Sequence, residues 1–401
     1  MKILIVNKFL FPRGGAETFS IELGKQLQKM GHEVEYFGMY DEKNTCYNRS
    51  GLYASPTDFH DLKPDIATYP FRIIWSKDNY EKMLKLIDNF KPDIIHLNNF
   101  NYQLTPSIID AAKEKGVPVV FTAHDSQFVC PNHLMYDFNS NSICTKCIAD
   151  GNMNHCAEAK CIHGSVAKSI LGTIEGRFYQ THDSYDYISR IICPSKFMKK
   201  IYDSDGAFRF YGKTMYLQNY TNDMPYKKTE REDYIFYFGR LSPEKGMNNI
   251  IEAAKRMPNQ QFVCAGTGPS DKDMQGIPNL KLVGFKKGED LYDLIRKAKL
   301  VILPSTCYEN CPLAVIEAQK LGAAVIVPSY GGASELTDPE FQIKNTESDE
   351  LVIAIEKALY GDNLGKMRAD SAKRSKEYML LPDFANKMVE IYRNIINEKS
   401  I

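Results

Sequence analysis

Two successive runs of strand–helix alternation, separated by one polar stretch, predict an α/β protein of two doubly wound halves facing a cleft. The 401 residues suit two such domains at ~150 residues or somewhat more each. Hydrophobic residues at 43% and charged residues at 25% are the proportions of a folded globular chain. Lys and Arg number 50, as do Asp and Glu. No global field therefore draws nucleic acid, and any anion must be met by a local cluster. No stretch approaches the ~18 apolar residues of a membrane span. The opening run Met1–Val6 is cut by Asn7 and Lys8, too early for a signal-peptide core. The chain is expected in the cytoplasm.

The first half opens with a strand over about 2–10, ending in the loop Phe11-Pro12-Arg13-Gly14-Gly15. A helix over 16–30 follows, with Phe19, Leu23 and Leu27 at helical spacing and Gly31 as its stop. A strand over 33–39 comes next. Further on, Lys91-Pro92-Asp93 leads into the apolar run Ile94-Ile95-His96-Leu97. A helix over 106–115 stops at Gly116, Val117–Thr122 is again a strand, and Ile191-Ile192-Cys193 is a short one. The polar stretch 221–233 breaks the pattern and is read as the linker. Alternation then resumes: strand 234–239, helix 247–256, strands 261–265 and 280–283, helix 289–298, strand 300–303, helix 312–321, strand 323–327. Such alternation implies parallel sheets covered on both faces. The expected domains are 1–220 and 221–379, with a last helix over about 383–397.

Two glycine loops tempt a dinucleotide reading, but G-x-G-x-x-G is absent after the first strand, and Gly266-Thr267-Gly268 is only a fragment of it. A stronger anion site lies in the second half. The strand 234–239 runs into Gly239-Arg240-Leu241-Ser242-Pro243-Glu244-Lys245-Gly246, so Arg240 and Lys245 project from a loop at a carboxyl strand end. A planar guanidinium and a mobile ammonium together can neutralise a diphosphate. The strand 300–303 then stops at Pro304, and the loop through Glu309, Asn310 and Cys311 reaches Pro312 at the first position of a helix. Amides near Leu313 and Ala314 are unpaired helix-start donors suited to an anion. Glu317 can accept from vicinal hydroxyls, and Glu309 from a sugar ring bound next to the phosphates.

Together these residues resemble the retaining glycosyltransferases of family 4, which have the GT-B fold. The carriers are Gly14-Gly15-Ala16-Glu17, Phe238-Gly239-Arg240 through Lys245-Gly246, Ala265-Gly266-Thr267-Gly268-Pro269, Val283-Gly284-Phe285, and Glu309 with Glu317 in an E-x7-E motif. Asp93–Phe100 and Thr122-Ala123-His124-Asp125 look like the members that build bacterial capsule, lipopolysaccharide and other surface polysaccharides; many relatives have a histidine where this chain has Asn98. The resemblance implies two Rossmann-like domains, with the last helix returning to the first. It implies that Arg240 and Lys245 hold the diphosphate of a nucleotide sugar, most often a UDP-sugar, while Gly14 and Gly15 let backbone approach it. Glu317 would bind the ribose and Glu309 the transferred sugar. Gly266, Asn310, Cys311, Leu313 and Ala314 would complete the donor site, Phe285 would meet the base, and His124 would sit by the donor sugar. No catalytic metal is expected, because the cations replace it. The expected reaction moves a hexosyl unit, with retention, to a saccharide or lipid-linked acceptor. A GT-B epimerase or phosphorylase is the rival reading.

Five of the ten cysteines fall between Cys130 and Cys161. Four of Cys130, Cys144, Cys147, Cys156 and Cys161 could hold a structural zinc, since the C-x-x-C of Cys144 and Cys147 supplies two ligands at a natural bite. Free thiols or a Cys156–Cys161 disulfide are the alternatives. Lys196-Phe197-Met198-Lys199-Lys200 and Arg209-Phe210-Tyr211-Gly212-Lys213 interleave cations with apolar groups. That pattern suits peripheral attachment to the inner face of the cytoplasmic membrane.

Overall fold

In the computed structural model, residues 1–56, 73–204, 209–224, 227 and 229–399 are described. Three positions of the polar stretch 221–233, at 225, 226 and 228, lie outside them. The chain divides into two units: one of residues 1–139, 144–218 and 381–401, the other of 140–143 and 219–380. Each is built on a six-stranded sheet.

In the first unit the strand order is Glu33–Phe37, Lys2–Val6, Ile94–Leu97, Val119–Thr122, Ile188–Cys193 and Thr214–Tyr216, and every pairing is parallel. The central strands are buried along nearly their whole length, which is why they read as unbroken apolar runs rather than alternating ones. The first strand ends at Val6, short of the expected position 10. There Asn7 turns the chain out of the sheet, donating from its side chain to the Phe9 carbonyl at 2.7 Å. Strand order reverses between Lys2–Val6 and Ile94–Leu97, so the loops after these two strands flank the switch point where doubly wound sheets bind ligands.

The second unit has the order Leu280–Leu282, Gln261–Ala265, Tyr234–Phe238, Leu300–Ile302, Val325–Pro328 and Gln342–Ile343. Numbered within the unit this is 3-2-1-4-5-6, the Rossmann order, with its switch point between Tyr234–Phe238 and Leu300–Ile302. All of its pairings are parallel too. Met247, Ile250, Ile251 and Ala254 of the helix Met247–Arg256 pack into the core on one side of this sheet's chain order. The helices Ser348–Leu359 and Asn363–Ser375 follow the last strand.

The final helix, Leu381–Lys399, belongs to the first unit. Its Phe384, Met388, Tyr392 and Ile395 are buried. The Phe384 ring meets Phe19 edge-on at 5.5 Å, and Tyr392 hydroxyl lies 2.7 Å from His96 Nδ1. The other His96 nitrogen lies 2.7 Å from Thr122 Oγ1, and burial pushes the imidazole down to about 3. His96 is thus a neutral core residue tying the last helix to the sheet.

Candidate functional site

In the second unit the loop after Tyr234–Phe238 packs through its backbone against the loops after Gln261–Ala265 and Leu300–Ile302. Gly239 N–H donates to the Ala265 carbonyl at 3.0 Å and Leu241 N–H to Thr267 at 3.1 Å. A Cβ on Gly266, whose φ is +150°, would stand 1.8 Å from the Gly239 oxygen. A Cβ on Gly246, at φ +80°, would stand 1.9 Å from the Pro304 oxygen. Only glycine lets these turns approach so closely. Their packing fixes where Arg240 and Lys245 emerge.

Lys245 Nζ reaches Glu309 Oε1 at 2.6 Å, and Ser305 Oγ donates to the same oxygen at 2.5 Å. Burial works against both charges, but the opposite charge wins. It lifts the Lys245 ammonium above its ordinary range and holds the Glu309 carboxyl below the usual one. Lys245 and Glu309 are therefore both ionised, side by side, on the loops of the two strands that flank the switch point. Arg240 is exposed and makes no ion pair among the described residues, so its guanidinium is available to a ligand.

The helix after Glu309 runs from Leu313 to Lys320, with Pro312 in extended conformation as its cap rather than its first residue. No side chain caps it, so the amides of Leu313 and Ala314, both half-buried, are left as helix-start donors. Glu317 is one turn farther in, half-buried. Asn310 is half-buried, whereas Cys311 is buried and its carbonyl accepts from Asn219 Nδ2 at 3.0 Å. Gly266 abuts the Arg240 loop as described. Phe285, on the turn after Leu280–Leu282, is 72% exposed, an apolar ring offered to the outside. Ser305 escaped the sequence reading; its position in the E-x7-E loop, four residues before Glu309, was the available signal.

In the first unit, Gly14 is the extended cap of the helix Gly15–Lys29, again with no side-chain cap. Open space surrounds the Gly15 Cβ position. His124 follows the strand Val119–Thr122 and donates from Nε2 to Asn98 Oδ1 at 2.9 Å. Asn98 turns its amide nitrogen to the Val6 carbonyl at 3.3 Å, which leaves only its oxygen for the histidine. That orientation sets the imidazole as the Nε2–H tautomer. Burial pushes His124 down to about 3, so it is neutral. Asn98 thus supplies the hydrogen-bond partner of His124.

Cys130, Cys144, Cys147, Cys156 and Cys161 line one small pocket with Asn132, Tyr136 and His155. Cys161 Sγ donates to Cys156 Sγ at 3.0 Å and Cys130 Sγ to Asn132 Oδ1 at 3.1 Å. Burial pushes the Cys130 thiol up to about 12 and raises Cys147 as well. Among the described residues, no group of three or more His, Cys, Asp or Glu could hold a metal ion as placed. The expected zinc ligands thus share one pocket but do not close around a point. The two basic stretches are partly engaged within the first unit. Met198 and Phe210 are buried, Lys199 pairs with Asp203, Arg209 pairs with Asp186, and Lys213 donates to the Asp186 carbonyl at 2.6 Å.

Residues 13–207 match Glycosyltransferase Family 4, and residues 221–378 match Glycosyl transferases group 1. An uncharacterised 42.6 kDa protein of the cps region of Klebsiella pneumoniae is 25% identical over 354 residues, 84% of this chain and 87% of that protein. The fold is that of sucrose-phosphate synthase from Thermosynechococcus elongatus, with TM-score 0.69 at 15% identity over 99% of both chains. It is also that of Anabaena HepE in complex with UDP-glucose, with TM-score 0.65 at 17% identity over 98% of this chain and 100% of that one. By its domains, the chain is a glycosyltransferase: a family 4 domain and, after it, a group 1 domain, on the GT-B fold.

Proposed function

We propose that the protein is a cytoplasmic, retaining hexosyltransferase. It takes a sugar from a nucleoside diphosphate donor, a UDP-sugar, and gives it to a saccharide or lipid-linked acceptor during bacterial surface-polysaccharide synthesis. The observation that carries this reading is the Lys245–Glu309 ion pair beside the unpaired Arg240, on loops at the switch point of the second sheet.

The difficult step is departure of the diphosphate from an oxocarbenium-like carbon, so electrostatics and positioning do most of the catalysis. Arg240, Lys245 and the amides of Leu313 and Ala314 stabilise the charge growing on the leaving phosphate. Glu309, kept ionised by Lys245, accepts from hydroxyls of the transferred ring, and Glu317 accepts from the ribose. Phe285 offers its exposed ring to the base. Gly14, Gly15 and Gly266 keep backbone open to the ligand, with Asn310 and Cys311 in the loop that shapes the site. His124, neutral, sits by the donor sugar. The departing phosphate takes the acceptor proton, so no separate base is assigned. The cations fill the place of a catalytic metal.

A zinc ion on four of Cys130, Cys144, Cys147, Cys156 and Cys161 is proposed as a staple of that lobe. The shared pocket supports it, and the donor chemistry suits zinc, although the thiols must turn to meet an ion.

The experiment is a panel of nucleotide sugars screened by thermal shift, then transfer assays with the stabilising donor. Arg240→Ala should lower transfer by ~10²-fold, the scale for losing a preorganised electrostatic group. The rate should not need added Mg²⁺ or Mn²⁺. A strict divalent requirement, or an Arg240→Ala variant as active as the parent, would defeat the reading.

A further inference from the structure

The loops that leave Lys2–Val6 and Glu33–Phe37 carry the rings of Phe9, Phe11, Tyr40, Tyr47 and Tyr53, and none of them is buried. Tyr40 and Tyr47 are 57% and 63% exposed; the other three are half-buried. A single exposed aromatic is ordinary, but this many on two adjoining loops form a patch, and exposed patches mark binding surfaces.

Backbone contacts hold the patch in shape. Met39 N–H donates to the Lys8 carbonyl at 3.0 Å and Thr45 N–H to the Leu10 carbonyl at 2.8 Å. A Cβ on Gly38 would stand 2.3 Å from the Asn7 oxygen, so the loops meet there with no side chain between them. Tyr40 N–H donates to the Ala54 carbonyl at 3.1 Å, and its ring meets Tyr53 edge-on at 6.1 Å. Phe9 and Phe11 also meet edge-on, at 5.9 Å. Each has a cation over it: Arg13 lies 4.4 Å from the Phe9 centroid and Lys43 5.8 Å from that of Phe11. The Tyr47 hydroxyl donates to the Asn44 carbonyl, which ties its polar tip back to the loop and leaves the ring outside. The rings are ordered before a ligand arrives, which lowers the entropy lost on binding.

Charge around the rings is mixed. Asp41 and Glu42 follow Tyr40 in the chain, opposite in sign to Arg13 and Lys43, so the patch offers donors and acceptors but no cationic field for an anionic membrane. A pyranose matches this arrangement. Its C–H face packs on an aromatic face, while the hydroxyls around its edge need donors and acceptors together. A bare hydrocarbon chain would cover the rings and leave the polar rim unmet. The place also suits a ligand, since the loop after Lys2–Val6 flanks the switch point of the first sheet.

We propose, given the transferase reading, that this patch binds the acceptor by a sugar ring laid on Tyr40 and Tyr47. The acceptor is then a glycan already begun, not a bare lipid phosphate. Where that glycan is carried on a lipid, an earlier transferase must have attached its first sugar.

The test is binding of the full chain to an array of immobilised bacterial oligosaccharides, with sugar-free polyprenyl phosphate on the same array. The expected result is retention by oligosaccharide spots and none by polyprenyl phosphate. Tyr40→Ala and Tyr47→Ala should each weaken binding to the retained oligosaccharide about tenfold or more, the scale of one lost stacking contact. Tyr40→Phe, which keeps the ring, should bind as the parent does. Both alanine variants change exposed positions, and an unaltered melting temperature confirms that they fold. Stabilisation by a nucleotide sugar, measured in parallel, tests the transferase reading separately and should be the same in the parent and both variants. No oligosaccharide binding overturns the proposal, as does parental binding by both alanine variants or equal binding to polyprenyl phosphate. So does a dimer in sedimentation velocity that the alanine variants dissolve, which would assign the patch to a second copy of the chain.

Discussion

Lys245 and Glu309 are each other's reason to stay charged. Removing one should therefore change the titration of the other, not only its contacts. Glu309 is pushed up by burial and pulled down, further, by Lys245 and Ser305. In Lys245→Met the larger part of the downward pull is lost, leaving the Ser305 bond, while burial remains. Because Glu309 must be a carboxylate to act, the acid limb of the transfer rate should then move to higher pH. An acid limb that stays in place would separate Glu309 from the reaction. The two glutamates should also divide by kinetics. Glu317→Gln should mainly raise the donor KM, since ribose contacts are equal in ground and transition states. Glu309→Gln should mainly lower kcat, since contacts to the distorting ring tighten. At this scale much of the candidate site was legible, because Arg240, Lys245, Glu309 and Glu317 lie in two loops with their own glycine and proline signals. The Ser305 and Asn98 partnerships were not, because each depends on a side-chain orientation that spacing does not encode.

Helices and strands of the second unit followed their sequence signals closely. Met247–Arg256 and Gln261–Ala265 end where the alternation places them, since Gly246, Pro258 and Gly266 punctuate them. The three-residue strand Thr214–Tyr216 and the two-residue Gln342–Ile343 are too short for any period to show. The helix Val166–Thr181 was hidden for another reason: its apolar stripe of Val166, Ile170, Ile174 and Phe178 marks the outside, so periodicity points to the wrong face. Its inner face makes a stability prediction. Glu175 Oε1 is buried without a partner, and burial pushes the carboxyl up to about 8. Between its ordinary value and that one, the folded state binds the proton more tightly than the unfolded state. Stability from this group is therefore full at low pH and is lost as pH rises toward 8. Glu175→Gln should leave stability at pH 4 nearly unchanged and increase it at pH 8, by on the order of a few kcal/mol. Urea midpoints at the two pH values check this; equal gains at both would remove Glu175 ionisation from the account. For the neighbouring lobe, metal analysis of protein purified without chelator should find about one zinc per chain, as a four-ligand staple requires. Cys144→Ser should remove it, and metal-free wild type would dismiss the zinc.

At the scale of the molecule, the two parallel sheets and the last helix were legible because βαβ alternation repeats over so many elements. Deleting residues 381–401 tests the assignment of that helix. It would expose the partners of Phe384, Met388, Tyr392 and Ile395 and leave His96 without the Tyr392 hydroxyl. The first unit should lose stability, while donor nucleotide should still protect the second unit from proteolysis. Equal loss in both units would contradict the division. That same helix makes residues 219–380 of the second unit an insertion in the chain of the first. The insertion's ends lie together: Thr221 pairs in parallel with Leu380, and Thr221 N–H donates to the Met379 carbonyl at 2.9 Å. A stretch whose entrance and exit are neighbours can be lifted out and replaced as a cassette with two cuts. During synthesis the order is reversed from reading order: at ~5–20 residues per second, the inserted unit leaves the ribosome whole while the older unit still waits for its closing helix. The half made first is therefore the half finished last, and the one whose bare apolar surface a nascent-chain chaperone would have to cover.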